Sequence, residues 1–356
     1  MKHSPVFPLL QSLVQAYGPC GQEDEIRDLC KKELKSLTDE LWIDAAGNLI
    51  GKVKGNNPAS SAVRLMVHMD ELSMIVKRVH EDGSLRVNPL GGLYPASIGQ
   101  GPVDILGDFE QFTGILSFGS LHTTRETPHT HKIIPKENRG QGLAPSWDDV
   151  HVITRKTQKA LKEAGVRPGT RVVIAKSRRT LTMVQDSIAG YFLDNRGALA
   201  IAIETLKKIK KQKTQLKCDL YIVATCSEEI GASGACYASR TLPGDISIAI
   251  DVGPVAKEYQ TLLSPQPIVV YQDAVSVYDK QLSDHLVRLG KKLKLDPQSA
   301  VFESYGSDAS IAQRYGQAAQ SALLCFPVEN THGYELTHKD SFDHCSSLLA
   351  LYLKSL

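Results

Sequence analysis

The sequence lacks a long hydrophobic run and a strong excess of either charge. No stretch comes near the roughly 20 consecutive apolar residues of a transmembrane helix, and polar residues interrupt the short apolar core of the N-terminus. We therefore expect neither a membrane span nor a signal peptide. Lys and Arg number 41 against 39 Asp and Glu, a net charge of +2, which gives no argument for a nucleic-acid partner. The dense basic run 207–217 is interpreted as a solvated helix end.

Cysteine pairs are also missing. The seven cysteines are an odd number, are scattered, and include no CxxC spacing. This usage favours reduced thiols and a cytoplasmic protein. The hydrophobic fraction of 42% and the charged fraction of 22% are ordinary for a globular chain and exclude a mainly disordered or collagen-like one. A length of 356 residues fits one large or two medium domains.

Apolar runs near both ends of the chain alternate between helical and strand-like patterns. Residues 5–38 predict two helices broken at Gly18-Pro19, and residues 61–72 predict a buried strand that ends in charged residues. The later helices are predicted over 197–210, 231–240, 281–293 and 346–356, and the later strands over 218–229, 246–254 and 321–330. This order predicts an α/β fold, a doubly wound mixed sheet with helices on both faces.

The middle of the chain has a different character. Residues 74–181 contain short β-like runs, many Gly and Pro, and one helix near 155–165, a pattern typical of a small barrel or sandwich. Within it, residues 119–147 are polar and predict a long loop or insertion. We therefore expect one α/β domain formed by 1–73 and 182–356, interrupted by a smaller, β-rich, barrel-like domain over 74–181.

Side chains that can bind metal ions collect where apolar strands end. Open α/β sheets bind ligands at the carboxyl ends of their strands, so we expect these side chains to converge. They are His68 and Asp70, Asp194, Glu228 and Glu229, Asp251, and His332. Histidines and carboxylates together suit zinc, cobalt or manganese, and so many carboxylates in one crevice would be costly without cations.

Other interpretations of these residues stay open. A single histidine at a strand end is more often a hydrogen-bonded polar group than a ligand, and an acidic pair is often a helix cap. His122, His129 and His131 form a second histidine cluster in the polar loop. His338, six residues after His332, competes with it as a ligand, and we prefer His332 because it is closer to the strand end.

Several motifs occur together in an order found in one enzyme family. They include QAYGPCGQEDEIRDL, VHMDEL, FLDNRG, TCSEEIGASGA, AIDVGP, YGSDAS and ENTHGYE. Over nearly its whole length the chain resembles the dinuclear-metal aminopeptidases of the glutamyl-aminopeptidase and tetrahedral-aminopeptidase family. The resemblance implies a metal-dependent enzyme that removes N-terminal residues from peptides.

The resemblance also implies a ligand set for two divalent metal ions per chain, with zinc preferred and cobalt or manganese as alternatives. His68 and Asp251 would bind one ion, Glu229 and His332 would bind the other, and Asp194 would bridge them. Two ions about 3.5–4 Å apart can act together on the attacking water and the scissile carbonyl.

Two further roles follow from the resemblance. Glu228 would be the general base, and Asp70 would orient the His68 imidazole from behind. The family further implies a homo-oligomer, a twelve-chain particle built from dimers, in which the inserted domain would govern assembly and access.

Some positions depart from the family pattern. Asn195 stands where a second Asp is usual, Ser73 replaces a usual Gly, and WDDVHVITR replaces the usual motif of the insert. Two alternatives accompany the aminopeptidase hypothesis. A dinuclear amidohydrolase that deacylates small N-acyl amino acids would use a similar ligand set, and Asn195 and the unusual insert leave open a self-assembling homologue without catalysis.

Overall fold

The computed structural model describes residues 6–57, 60–120, 145–213 and 215–356. The chain divides into two compact units. The first comprises Met1–Glu71, Leu181–Thr331 and Glu335–Leu356, and the second comprises Leu72–Thr180 and His332–Tyr334. The predicted histidine cluster at 122, 129 and 131, and most of the predicted loop at 119–147, lie outside the described residues.

Three of the α-helices in the described parts of the chain begin at a side-chain cap. The helices are α1 (Phe7–Gln15), α2 (Asp24–Leu34), α3 (Pro95–Ile98), α4 (Gln158–Glu163), α5 (Leu193–Lys211), α6 (Ser233–Thr241), α7 (Lys280–Lys292), α8 (Asp308–Arg314) and α9 (Ser341–Ser355). The Asp279 carboxylate caps α7 by accepting the Leu282 N–H, and the Ser307 hydroxyl caps α8 in the same way. In the part of the chain that the structure describes, the helices are too short or too polar to cross a membrane.

The strands in the described residues are β1 (Glu40–Ile43), β2 (Leu49–Val53), β3 (Val63–His68), β4 (Ser73–Val79), β5 (Leu85–Leu90), β6 (Gly101–Leu106), β7 (Gln111–Ser117), β8 (His151–Ile153), β9 (Arg171–Ile174), β10 (Thr182–Val184), β11 (Ser187–Gly190), β12 (Leu220–Thr225), β13 (Ile246–Pro254), β14 (Ile268–Gln272), β15 (Gln298–Val301), β16 (Gln320–Val328) and β17 (Glu335–His338). The longest of them are β13 and β16 of the main sheet, with nine residues each. Short 3₁₀ turns occupy Trp147–Asp149 and Lys176–Arg178.

The first unit is built on a mixed eight-stranded sheet in the order β1-β2-β12-β3-β13-β16-β14-β15. The four central strands, β12, β3, β13 and β16, are parallel, whereas β2 and β14 join them antiparallel. The predicted doubly wound α/β fold is confirmed. Because the central strands are parallel, their carboxyl ends share one edge of the sheet.

Hydrophobic clusters lie on both faces of this sheet. Leu65 and Val67 belong to the cluster that contains the buried side of α5, while Met66 between them belongs to the cluster around α6. Successive side chains of a strand point to opposite faces, so β3 is covered on both. This is why the segment is a continuous apolar run in the sequence.

A second, three-stranded sheet of the first unit has the order β10-β11-β17, all antiparallel. It was not predicted from the sequence. Its strands have three or four residues, and β10 alternates between exposed and partly buried positions, too few positions to establish a period.

The second unit is a closed barrel with the strand order β4-β5-β8-β7-β6-β9. Inward positions alternate along its strands, as in Met74 and Val76 of β4 or Val103 and Ile105 of β6, all fully or almost fully buried. Of the two predicted forms, barrel or sandwich, the described strands adopt the barrel.

Candidate metal and catalytic site

The strand register brings His68 and Asp251 to the same edge of the main sheet. His68 ends β3 and pairs with Thr225, the last residue of β12. On the other side Met66 pairs with Ala249 of β13, so His68 and Asp251 each lie two residues beyond a paired position. An even spacing also keeps both side chains on one face of the sheet.

Asp194 joins these two residues from the start of α5. Its Oδ1 lies 3.0 Å from His68 Nε2, and Asp251 Oδ1 lies 4.0 Å from the same nitrogen. His68, Asp194 and Asp251 are 2%, 8% and 5% exposed, and each offers one ligand atom within 4.8 Å of the others. One imidazole and two carboxylates at this spacing form a donor set that suits a divalent cation.

The backbone of Asp194 and Asn195 is non-helical, and the peptide bond between them is cis. The Asp194 N–H donates to Glu335 Oε2 at 3.0 Å, and the Asn195 side-chain amide donates to the Ile250 carbonyl at 3.0 Å. The side chain of an aspartate at position 195 would have no N–H to donate to that carbonyl. The departure from the family pattern at Asn195 thus has a role here, since it ties the start of α5 to the residue before Asp251.

A buried ion pair holds the same segment from the other side. Arg196 Nη2 lies 2.7 Å from Glu71 Oε2, both side chains are fully buried, and Arg196 also donates to the Met69 carbonyl. Removing either partner would leave a buried unpaired charge, which is strongly destabilising. The pair therefore links the DNRG segment to the turn that follows His68.

The Asp70 carboxylate holds the backbone of the two adjacent glutamates. Its Oδ1 accepts the Glu228 N–H at 2.9 Å, and its Oδ2 accepts the Glu229 N–H at 3.1 Å. The contact expected with His68 is longer, with Nδ1 at 3.6 Å from Asp70 Oδ1 and at 3.2 Å from the Asp70 backbone carbonyl. In this geometry Asp70 contacts the glutamates more closely with its carboxylate than it contacts the imidazole.

Glu228 reaches the centre of the group. Its Oε2 lies 4.0 Å from His68 Nε2, and its side chain is 12% exposed. Burial raises the pKa of Glu228 well above its usual value, and the charges of Asp308, Asp251 and Asp70 raise it further, although His68 opposes them. A carboxyl group with a raised pKa that is partly open to solvent is a candidate for proton transfer.

The charges of the site are unbalanced in favour of the carboxylates. Burial raises the pKa of Asp251, with the charge of Asp194 acting in the same direction, and burial also raises the pKa of Glu229. Burial alone would lower the pKa of His68, but its contacts with Asp194 and Asp70 raise it well above its usual value. The group therefore resembles a cation-binding site in its electrostatics as well as its geometry.

The two competing histidines lie in different surroundings. His332 belongs to the second unit, where its Nδ1 lies 3.0 Å from the Gly92 carbonyl oxygen. His338 is in β17, and its Nε2 lies 3.3 Å from Asp186 Oδ2. His338 thus already has a carboxylate partner in Asp186. We therefore keep His332 as the predicted metal ligand.

One residue of the site was missed by the sequence reasoning. Asp308, at the start of α8, is 2% exposed, and its charge acts on both Glu228 and Asp251. It lies in the YGSDAS motif, which contributed to the family resemblance without a role for its aspartate. That motif was the signal that could have identified it.

The chain is similar to known proteins in sequence and in fold. The family model described as M42 glutamyl aminopeptidase matches residues 47–348. The lysyl aminopeptidase of Pyrococcus furiosus is 27% identical over 98% of this chain and 97% of its own length. Among solved structures, the aminopeptidase APDkam598 from Desulfurococcus kamchatkensis has a TM-score of 0.86 at 23% identity, covering 99% of this chain and 95% of its own.

A second similar structure is the TET1 peptidase of Pyrococcus horikoshii, with a TM-score of 0.82, 21% identity, and coverage of 97% of this chain and 98% of its own. At these identities the structures establish the fold, and the family model, which spans most of the chain, establishes the family. Because this model matches residues 47–348, the chain belongs to the M42 glutamyl aminopeptidase family, enzymes that hydrolyse peptide bonds.

Proposed function

We propose that the protein is a metal-dependent aminopeptidase that removes N-terminal residues from peptides with Glu228 as general base. The observation that carries the proposal is the buried group of His68, Asp194 and Asp251 beside a glutamate pair whose backbone is held by Asp70. Membership of the M42 family supports the same reaction class.

The proposed ligand set divides between two divalent ions. His68 and Asp251 would hold one, Glu229 and His332 the other, and Asp194 would serve both. His332 stands three residues before Glu335, whose carboxylate accepts the Asp194 N–H, which supports its inclusion. Zinc is the first candidate, with cobalt or manganese as alternatives. When bound, such ions supply positive charge that polarises the scissile carbonyl and lowers the pKa of water.

Glu228 carries the proton in this proposal. Its carboxylate takes a proton from the attacking water as the water oxygen forms a bond to the carbonyl carbon. The C–N bond then breaks, and the Glu228 carboxyl group gives the proton to the departing amine nitrogen. Asp70 assists by fixing the backbone of Glu228 and Glu229, so that one carboxylate faces the water and the other the ion.

The test is a comparison of substrates with free and blocked N-termini. We expect hydrolysis of aminoacyl arylamides and short peptides with a free N-terminus, and no hydrolysis of the same peptides after N-acetylation. Preference for N-acyl amino acids over free peptides would favour the deacylase instead. No hydrolysis of either class by protein loaded with zinc, cobalt or manganese would favour the homologue without catalysis.

The inserted segment 74–181 is proposed to serve assembly rather than chemistry. In the sequence the 74–181 segment leaves the chain just after His68 and Asp70 and returns before Asp194, and it contributes no residue to the proposed ligands. The similar TET1 peptidase of P. horikoshii can assemble into a tetrahedron or a large octahedral shell. We propose a homo-oligomer built from dimers, twelve chains in its complete form, located in the cytoplasm.

Light scattering of the intact protein tests this assembly. A mass near that of twelve chains, or of two at low concentration, is expected. A monomer at micromolar concentration that cleaves folded proteins as readily as short peptides would contradict both the assembly and the control of access.

A further inference from the structure

The Cys20 thiol lies against the carboxylate that holds the glutamate pair. Cys20 Sγ is 3.1 Å from Asp70 Oδ2, and the two residues are 1% and 0% exposed. Cys20 stands in the loop between α1 and α2, where its neighbour Pro19 forms a β-bridge with Glu71. The backbone pairing of Pro19 with Glu71 therefore holds the Cys20 thiol next to Asp70.

Asp70 Oδ2 accepts hydrogen bonds from two groups. One is the Glu229 N–H at 3.1 Å and the other is the Cys20 S–H, while Oδ1 accepts the Glu228 N–H at 2.9 Å. A fully buried carboxylate needs such donors because it has left water. The thiol is thus one of three donors that hold the Asp70 carboxylate in place.

The protonation state of the thiol agrees with a donor role. Burial raises the pKa of Cys20 far above its usual value, and the charge of Asp70 raises it further. A protonated thiol is neither a nucleophile nor a metal ligand. Cys20 is therefore placed to donate a hydrogen bond and not to react.

We propose that Cys20 is a positioning residue for hydrolysis, whose S–H holds the Asp70 carboxylate in the orientation that fixes the backbone of Glu228 and Glu229. The inference rests on the proposed function, because it takes Glu228 as the base and Glu229 as a ligand. It adds a residue to the reaction that lies outside the seven predicted side chains.

Three substitutions at Cys20 separate donation from packing. Cys20→Ala removes both the donor and volume, Cys20→Val removes the donor while filling the space, and Cys20→Ser keeps a donor. We expect kcat to fall about 10-fold in the alanine and valine variants, with KM within about twofold, and to recover in the serine variant. In the alanine and valine variants, affinity for the ion that Glu229 and His332 are proposed to hold should fall by a similar factor. Titration of zinc against a chromophoric chelator measures this affinity.

Cys30→Ala is the matched control. Cys30 is also 1% exposed, but it lies in α2 within the main hydrophobic cluster. The Cys30→Ala substitution should lower the melting temperature about as much as Cys20→Ala does, while leaving kcat and zinc affinity unchanged. If Cys20→Val matched the wild type, or if Cys20→Ser were as impaired as Cys20→Ala, Cys20 would be a packing residue only.

Failure of this inference is distinguishable from failure of the proposed function. If the wild-type protein hydrolysed no peptide, the proposed function would be wrong, and the zinc titration would still compare the variants. If the wild type were active and all Cys20 variants shared its kcat and zinc affinity, only the positioning role would be overturned.

Discussion

The Asp308 carboxylate and the Thr225 hydroxyl form a buried hydrogen bond of 2.5 Å behind the site. Thr225 ends β12 and pairs with His68, so the bond fixes the strand that leads into Glu228. The second oxygen of Asp308 has no hydrogen-bond partner among the described residues. Asp308 is thus a buried carboxylate with a hydrogen bond to only one of its two oxygens among the described residues.

Asp308→Asn should stabilise the metal-free protein at alkaline pH. Burial raises the pKa of Asp308 to about 6 from an ordinary 3.8, with His68 and Thr225 opposing the shift. The folded state binds this proton more tightly, so the stability it contributes is full below pH 3.8 and is lost as pH rises through 6. We expect a gain of up to about 2–3 kcal/mol at pH 8 and little change at pH 4, measured by urea unfolding.

Asp148→Asn is the control for this prediction. The Asp148 side chain is 92% exposed, so its removal should change stability little at either pH. If Asp308→Asn and the wild type had the same free energy of unfolding at pH 8, the charge of Asp308 would not destabilise the metal-free protein.

The two adjacent glutamates should respond differently to the same substitution. Glu228→Gln keeps the shape but cannot accept a proton, so kcat should fall about 10²–10⁴-fold with metal content near normal. Glu229→Gln removes a proposed ligand and should lower metal content. Elemental analysis beside steady-state kinetics checks both, and the reverse pattern would exchange the two assignments.

Much of the fold could be predicted from the sequence because its central strands are buried on both faces. The strands β3, β12, β13 and β16 are continuous apolar runs, as is typical of parallel strands under helices. The short antiparallel strands β10 and β11 carry no such signal, since three or four residues do not establish a period.

Only the site residues that lie at the ends of predicted strands could be predicted from the sequence pattern. His68 and Asp251 follow from the rule that ligands bind at the carboxyl ends of parallel strands. The hydrogen bond between Asp308 and Thr225 joins residues 83 positions apart, and that between Asp70 and Glu228 joins residues 158 apart. These contacts depend on how helices and turns pack against the sheet, and local sequence patterns do not predict that packing.

Gly92→Ala should weaken metal binding through His332. A Cβ at position 92 would lie 2.9 Å from His332 Nδ1, closer than such atoms approach, so the imidazole would have to shift. If His332 is a ligand, affinity for the second ion should fall about 10-fold, measured by the same chelator competition. His332→Ala sets the largest expected loss, and an unchanged affinity in both variants would remove His332 from the ligand set.

Stabilisation of the protein by zinc should increase as the pH rises from about 6 to about 8. In the metal-free protein burial raises the pKa of Asp251, and contacts with Asp194 and Asp70 outweigh burial in raising the pKa of His68. Both proposed ligands must lose their protons to bind an ion. Protons therefore compete with zinc at higher pH than they would if the pKa values of His68 and Asp251 were unshifted.

Each tenfold gain in zinc affinity adds about 1.4 kcal/mol at a fixed excess of zinc, so the rise in melting temperature on adding zinc should be clearly larger at pH 8 than at pH 6. Differential scanning calorimetry at both pH values measures it. His68→Ala should lose most of the zinc effect at pH 8, because the nitrogen ligand is gone and the carboxylates that remain bind zinc less well. An equal zinc effect at both pH values in the wild type would mean that zinc binds elsewhere, since a site built on His68 and Asp251 must release protons when the ion enters.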